Sequence, residues 1–262
     1  MTRQQEQQEG FEIRADFLQP WSTFVMKTSL PPIILEKMIK ITDEVIANAE
    51  GMKAEMSGTE QPKFGVTDHD ASTTFLPAEI PMELEILERE DVMEFFLDVA
   101  RQYVIQQTLQ MQPMKEKEIL NEEWYTKMVS MWLVSQRDNE FNPIHAHTGD
   151  NFHGVSTVMY LKIPEYLPNR NPTHNDDGAI TFINNVAKGN WGTSSITIQP
   201  DVGDFYVFSS SQPHFVYPFR TVDGKGERRS VSFNTEFSSK SEQDFIKKYQ
   251  KEKLLQLIKD DK

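Results

Sequence analysis

The densest group of side chains able to do chemistry is Asn142-Pro-Ile-His-Ala-His-Thr-Gly-Asp150. His145 and His147 stand two residues apart, so an extended backbone sends both imidazoles out of one face. Asp150 follows on the turn just beyond. Two imidazoles with a carboxylate nearby form a partial shell for a divalent metal. Four of the six histidines (His145, His147, His153, His174) crowd into this part of the chain, which favours a metal site. Surface or hydrogen-bonded histidines are the plainer alternative.

Two further stretches gain meaning from that patch. Pro200-Asp-Val-Gly-Asp-Phe-Tyr-Val-Phe-Ser-Ser-Ser-Gln-Pro-His214 runs from a turn at Gly203 through an apolar strand to a histidine beside a proline. A lone strand-end histidine is usually structural, but His214 lies downstream of a histidine pair. In Gly226-Glu-Arg-Arg-Ser-Val-Ser-Phe-Asn234, strand alternation puts Arg228, Ser230, Ser232 and Asn234 on one face and Arg229, Val231 and Phe233 on the other. The polar face either meets water or turns inward to grip a small anion. For the second role, arginine supplies a bidentate fork for a carboxylate and serine a hydroxyl donor.

Elements that would position these residues can be read from periodicity. Pro31 and Pro32 precede Ile34, Met38, Ile41 and Val45 at helical spacing, ending at Gly51. Residues 52–80 carry turn-forming types without a period and read as loop or irregular strand. A second helix is expected from about Asp91 to Met111, with Val92, Phe95, Phe96, Val99 and Tyr103 on its core side. From Trp124 the pattern becomes strand-like. Met128 to Val134 reads as buried on both faces, and further strands are expected at Gly154–Ile163, Ala179–Asn184, Ser195–Gln199, Asp204–Ser209 and Arg228–Phe237. Short strands separated by turns indicate a sandwich or barrel rather than βαβ units. Ser241 and Asp244 resemble a capping box opening a charged C-terminal helix. The expected organisation is one domain over 1–262: a mostly helical support to 123, a β core from 124 to 237, and a helix from 238.

Composition narrows the function. Apolar residues make up 38 % and include 17 Phe, enough for a sizeable core. The formal net charge is −13 with no block of Lys or Arg, which disfavours the phosphate neutralisation that duplex nucleic acid demands. There are no cysteines, so disulfides, thiolate metal sites and thiol nucleophiles are excluded together. The polar, Gln/Glu-rich start is unlike a signal peptide, and no apolar run approaches bilayer length. A soluble, cytoplasmic protein is expected.

The order of parts is itself informative: a His-x-His patch, Tyr-Leu-x-x-Pro, Gly-Asp before an apolar strand, a distal histidine, then Arg-x-Ser. Over about residues 124–237 the chain resembles the Fe(II)/2-oxoglutarate-dependent dioxygenase superfamily, on its prolyl-hydroxylase-like side. It is most similar to bacterial and phage oxygenases carrying an Asn-x-x-His-x-His patch. The resemblance implies a mainly β fold with flanking helices, a double-stranded β-helix (jelly-roll, cupin-like) built as a funnel around iron. It implies His145 or His147 as proximal ligand and His214 as distal ligand. Arg228 would pair with the far carboxylate of 2-oxoglutarate, Ser230 would hydrogen-bond beside it, and Tyr160 would make an additional contact. Arg229 would point the other way.

The family supplies His-x-Asp or His-x-Glu where this chain has His145-Ala-His147. Three arrangements stay open. His147 replaces the acid, giving three histidines; Asp150 swings in as the carboxylate with His147; or His147-Thr-Gly resembles the aspartyl-hydroxylase-like branch, which dispenses with the carboxylate. The balance favours His147 and His214, with His145 and Asp150 competing for the remaining position. The implied reaction couples oxidative decarboxylation of 2-oxoglutarate by O2 to hydroxylation of a C–H bond, with a peptidyl or free amino acid as the family-level substrate. The alternatives are a cupin-like metalloenzyme without 2-oxoglutarate and a non-catalytic jelly-roll module for binding or structure. Met131 and Trp132 lie near the expected site, and core packing is the role read for both.

Overall fold

The structure is a computed structural model that describes residues 23–55, 76–148, 154–168, 176–184 and 193–260. Two antiparallel sheets face one another. The larger is made of β1 (Met26–Ser29), β2 (Ala78–Pro81), β3 (Trp124–Gln136), β5 (Val155–Lys162), β8 (Asp204–Ser209) and β10 (Arg228–Ser239). Its spatial order is β1-β8-β5-β10-β3-β2. The smaller sheet contains β4 (Asn142–His145), β6 (Ile180–Ile183), β7 (Ser195–Ile198) and β9 (His214–Val216), in the order β4-β9-β6-β7. From β3 onward the chain passes back and forth between the sheets, apart from the paired β6 and β7 of the small one, and the fold is a double-stranded β-helix flanked by helices.

The large sheet is buried on both faces, which explains why its central strands read as continuous apolar runs. On the outer face, Met131, Leu133, Met159, Leu161, Phe205, Val207, Val231 and Phe233 pack beneath Met38 and Ile41 of α1 (Pro32–Glu55) and Phe96 of α3 (Met93–Met111). Phe96 meets Phe205 edge-on at 5.9 Å and Phe233 at 5.5 Å. On the inner face, Val158, Tyr160, Tyr206 and Phe208 pack against Ile180, Phe182 and Val216 of the small sheet. Register places Arg228, Ser230, Ser232 and Asn234 opposite Gln136, Val134, Trp132 and Ser130, so all eight share this inner face. The polar stripe of β10 therefore turns inward: Arg228, Ser230 and Ser232 are buried.

Several sequence expectations shift at this level. The first helix runs past Gly51 to Glu55. Part of 52–80 is the ordered edge strand β2, and β1 closes the opposite edge, so the N-terminal support contributes two strands to the sheet. Periodicity missed both because each is four residues long. The short helices α2 (Glu85–Arg89) and α4 (Glu116–Asn121) were likewise unread. The last helix, α5 (Lys240–Asp260), is capped by Ser239, whose hydroxyl accepts from the Glu242 amide at 3.1 Å. Ser241 instead donates to Glu122. Val129 is partly exposed, so β3 is not buried along its whole length. Among the described residues no helix is long and apolar enough to cross a membrane.

Arg229 does face away from the funnel. Its guanidinium donates to Asp43 Oδ1 at 2.6 Å and Thr42 Oγ1 at 3.1 Å on α1, and to both Glu227 oxygens at 3.0 and 3.1 Å. The Arg229 hydrogen bond holds the Asp43 carboxyl below its usual range. For Glu227, burial acts upward, but bonds from Arg229 and Ser135 prevail and its carboxyl is also held low. This cluster clamps α1 to the sheet. Arg229→Ala is expected to destabilise the fold by about 3 kcal/mol, the low end for breaking a buried pair because Asp43 is half exposed. Chemical denaturation measures it, and a loss below about 1 kcal/mol would show that the clamp carries no weight.

Candidate metal and 2-oxoglutarate site

The small sheet brings the first two histidines together through strand pairing. His145 on β4 and His214 on β9 are register partners, and their rings lie 4.3 Å apart. The Nδ1 of His145 donates to the Pro143 carbonyl at 2.7 Å, and that of His214 to the Gln212 carbonyl at 2.9 Å. Each such bond fixes the tautomer that leaves Nε2 with a free lone pair. Gln212 is itself held, its amide donating to the Ile183 and Pro213 carbonyls.

His147 arrives from just beyond β4, its backbone amide donating to the Ser210 carbonyl at 2.8 Å. Its ring stacks between that of His214 (5.2 Å, interplanar 9°) and the indole of Trp132 (5.2 Å, 27°). The Nε2 atoms of His147 and His214 approach to 3.4 Å. One nitrogen from each of His145, His147 and His214 lies within 4.8 Å of the others. Three imidazole nitrogens on one face of a metal at about 2.1 Å each would stand roughly 3 Å apart, so a small contraction completes the shell. Burial, with the charge of His145 second, pushes His147 down to about 4 and His214 down to about 3. Both are therefore neutral near pH 7, as metal ligands must be. The donor set fits a divalent transition metal and leaves room for further ligands.

The placement of the expected site residues is thus as follows. His145, His147 and His214 come together from two strands and the segment after β4. Asp150, with His153 and His174, lies outside the described residues. Tyr160, Arg228 and Ser230 lie on the inner face of the large sheet, with Ser230 the register partner of Tyr160. Arg228 is 2 % exposed, its guanidinium sits 4.9 Å over the Tyr160 ring, and its Nη1 donates to the Gly178 carbonyl at 2.5 Å. No carboxylate among the described residues pairs with it. Its Nε and the Tyr160 hydroxyl are buried without a hydrogen-bond partner among the described residues. A buried cation and a phenol left in this condition are costly unless an anion joins them. The distal carboxylate of 2-oxoglutarate fits that need.

Two neighbours of the histidines take roles that differ from their sequence reading. Trp132, expected near the site but as a core residue, stacks on His147 from the face that its strand period shares with Ser130 and Val134. Glu79 lies in a stretch read as loop or irregular strand; β2 pairs it with Val134, which turns it to the inner face, and its carboxylate accepts from Asn142 Nδ2 at 3.3 Å. Burial pushes Glu79 up, opposed by the charge of nearby His145 and the Asn142 bond. No spacing rule would have found it.

Comparison with known proteins accords with this geometry. Residues 130–234 match a family model described as "Putative 2OG-Fe(II) oxygenase". A 2OG-Fe(II) oxygenase-family oxidoreductase from Burkholderia pseudomallei is similar at 12 % identity, covering 80 % of this chain and 84 % of that one, with a TM-score of 0.45. A Pseudomonas putida prolyl-4-hydroxylase is similar at 17 % identity, covering 82 % and 93 %, with a TM-score of 0.44. A viral collagen prolyl hydroxylase from Paramecium Bursaria Chlorella virus-1 is similar at 9 % identity, covering 80 % and 94 %, with a TM-score of 0.40. No curated protein matches the chain. The matched segment begins in β3 and ends in β10, so it spans all three histidines and Arg228. Over residues 130–234 this chain is thus similar to the 2OG-Fe(II) oxygenases, a family named for Fe(II) and 2-oxoglutarate.

Proposed function

We propose that this chain hydroxylates a C–H bond of an amino acid, free or within a peptide, with Fe(II) held by His145, His147 and His214 and 2-oxoglutarate held by Arg228, Tyr160 and Ser230. The observation that carries the proposal is the convergence of three imidazoles in a fold that also buries, on the inner face of the large sheet, an arginine with no carboxylate partner among the described residues. When bound, iron would let O2 act as the oxidant, one oxygen atom entering 2-oxoglutarate as it becomes succinate and carbon dioxide and the other entering the substrate C–H bond. The residues do the positioning. Bonds to the Pro143 and Gln212 carbonyls aim two imidazoles, Trp132 and His214 fix the plane of the third, and Phe182 and Phe208 keep water from the His214 side. Arg228 orients the co-substrate by its far end. Glu79, on the inner face near His145, offers an acceptor to a substrate amine or amide, which suits an amino-acid substrate.

The test is anaerobic addition of Fe(II) and 2-oxoglutarate, followed by oxygen. A weak visible charge-transfer band and then succinate are expected, even without substrate, and peptide or amino-acid panels should yield a product heavier by one oxygen. Protein that takes up no iron, or that takes up iron yet forms neither band nor succinate, would refute the proposal. The three-histidine shell gives some support to a second reading, a metalloenzyme that does not use 2-oxoglutarate. The buried Arg228 speaks against it.

A further inference from the structure

The segment after β5 carries a tyrosine that no motif singled out. Tyr166 packs its ring on Phe219 at 5.1 Å, and the next amide, Leu167, donates to the Arg220 carbonyl at 2.8 Å, so its direction is set. Its phenol lies over Gly178: a Cβ added there would stand 2.3 Å from Tyr166 Oη, and Gly178 has φ +69°. Gly178 is also the residue whose carbonyl receives Arg228 Nη1. The phenol of one tyrosine and the guanidinium thus meet at one glycine, with Tyr160 beneath the arginine. Three polar atoms at this end, Arg228 Nε, Tyr160 Oη and Tyr166 Oη, are closed from solvent and have no hydrogen-bond partner among the described residues. Burial pushes the Tyr166 phenol up to about 12, with the Arg228 charge opposing, so it is a donor at neutral pH.

Resting on the reading that the Arg228 end receives the co-substrate, we infer that Tyr166 is a further binding residue, donating its phenol to the distal carboxylate of 2-oxoglutarate and closing that end of the site over Gly178. One carboxylate offers about four lone-pair positions, enough to accept from all three unpartnered donors together. Gly178 is required because any side chain there would take the space of the phenol and would also have to adopt a left-handed backbone conformation.

The experiment is calorimetric titration of Fe(II)-loaded full-length protein without oxygen, using 2-oxoglutarate and, separately, oxalate. Oxalate chelates a metal but is too short to reach the far end. Tyr166→Phe should weaken 2-oxoglutarate roughly tenfold or more, the value of a hydrogen bond to a charged acceptor, and leave oxalate unchanged. Melting of the ligand-free variant should be unchanged or raised, since an unpartnered buried hydroxyl has been removed. Gly178→Ala should reproduce the selective loss. Unchanged 2-oxoglutarate affinity in Tyr166→Phe, or an equal loss for oxalate, overturns the inference. Wild-type protein that does not bind 2-oxoglutarate, or Arg228→Met protein that binds as wild type does, instead defeats the reading on which it rests.

Discussion

Replacing His214 with alanine is expected to lower Fe(II) affinity by more than about 100-fold and to abolish succinate formation. Even partners that only touch a metal ligand are typically worth 10- to 100-fold, so a direct ligand should exceed that range. The expectation is sharp because His214 joins the other two. It is the register partner of His145 and stacks on His147, so its loss leaves only two imidazoles for the metal. The ring is 5 % exposed against Phe182 and Phe208, so truncation also costs about 1–3 kcal/mol in packing and a hydrogen bond. Thermal melting of the metal-free variant separates that cost from lost affinity. A folded His214→Ala protein with wild-type iron binding would remove the histidine assignment.

Arg228→Met should weaken 2-oxoglutarate by at least about 100-fold, or about 2.7 kcal/mol, within the range for truncating one partner of a buried charge pair. Its effect on the ligand-free fold should be small, within about 2 kcal/mol. The lost bond to the Gly178 carbonyl is offset by removing a buried cation that lacks a carboxylate. That separation sets Arg228 apart from its neighbour. Arg229→Ala should lose stability because its charge is paired to Asp43 and Glu227, whereas Arg228→Met should lose ligand because no carboxylate among the described residues pairs with Arg228. Equal losses in stability at both positions, with 2-oxoglutarate binding retained, would reverse the two roles.

The fold class was legible because the large sheet is buried on two faces. Strands such as Val155–Lys162 and Asp204–Ser209 must be continuously apolar, and turn residues must separate them. Strand period alone put Arg228 and Arg229 on opposite faces, since alternation is a local property of the backbone. Short edges such as Ala78–Pro81 were not legible. Four residues carry no period, and their strand state is imposed by pairing with β3. Glu79 and Tyr166 were hidden for the same reason, because each reaches the inner surface through contacts distant in sequence.

By itself, the sequence determined which residue types were available: a histidine pair at strand spacing, a later histidine after an apolar strand, and an arginine on a serine-rich face. Only the tertiary structure decided which of them meet, because the distance between His145 and His214 is set by the pairing of β4 with β9, and no local preference encodes it. Folding also decided that the arginine face turns inward. Once helices cover the outer face of a sheet, the remaining face must close on its partner sheet, and whatever polar groups it carries are enclosed there.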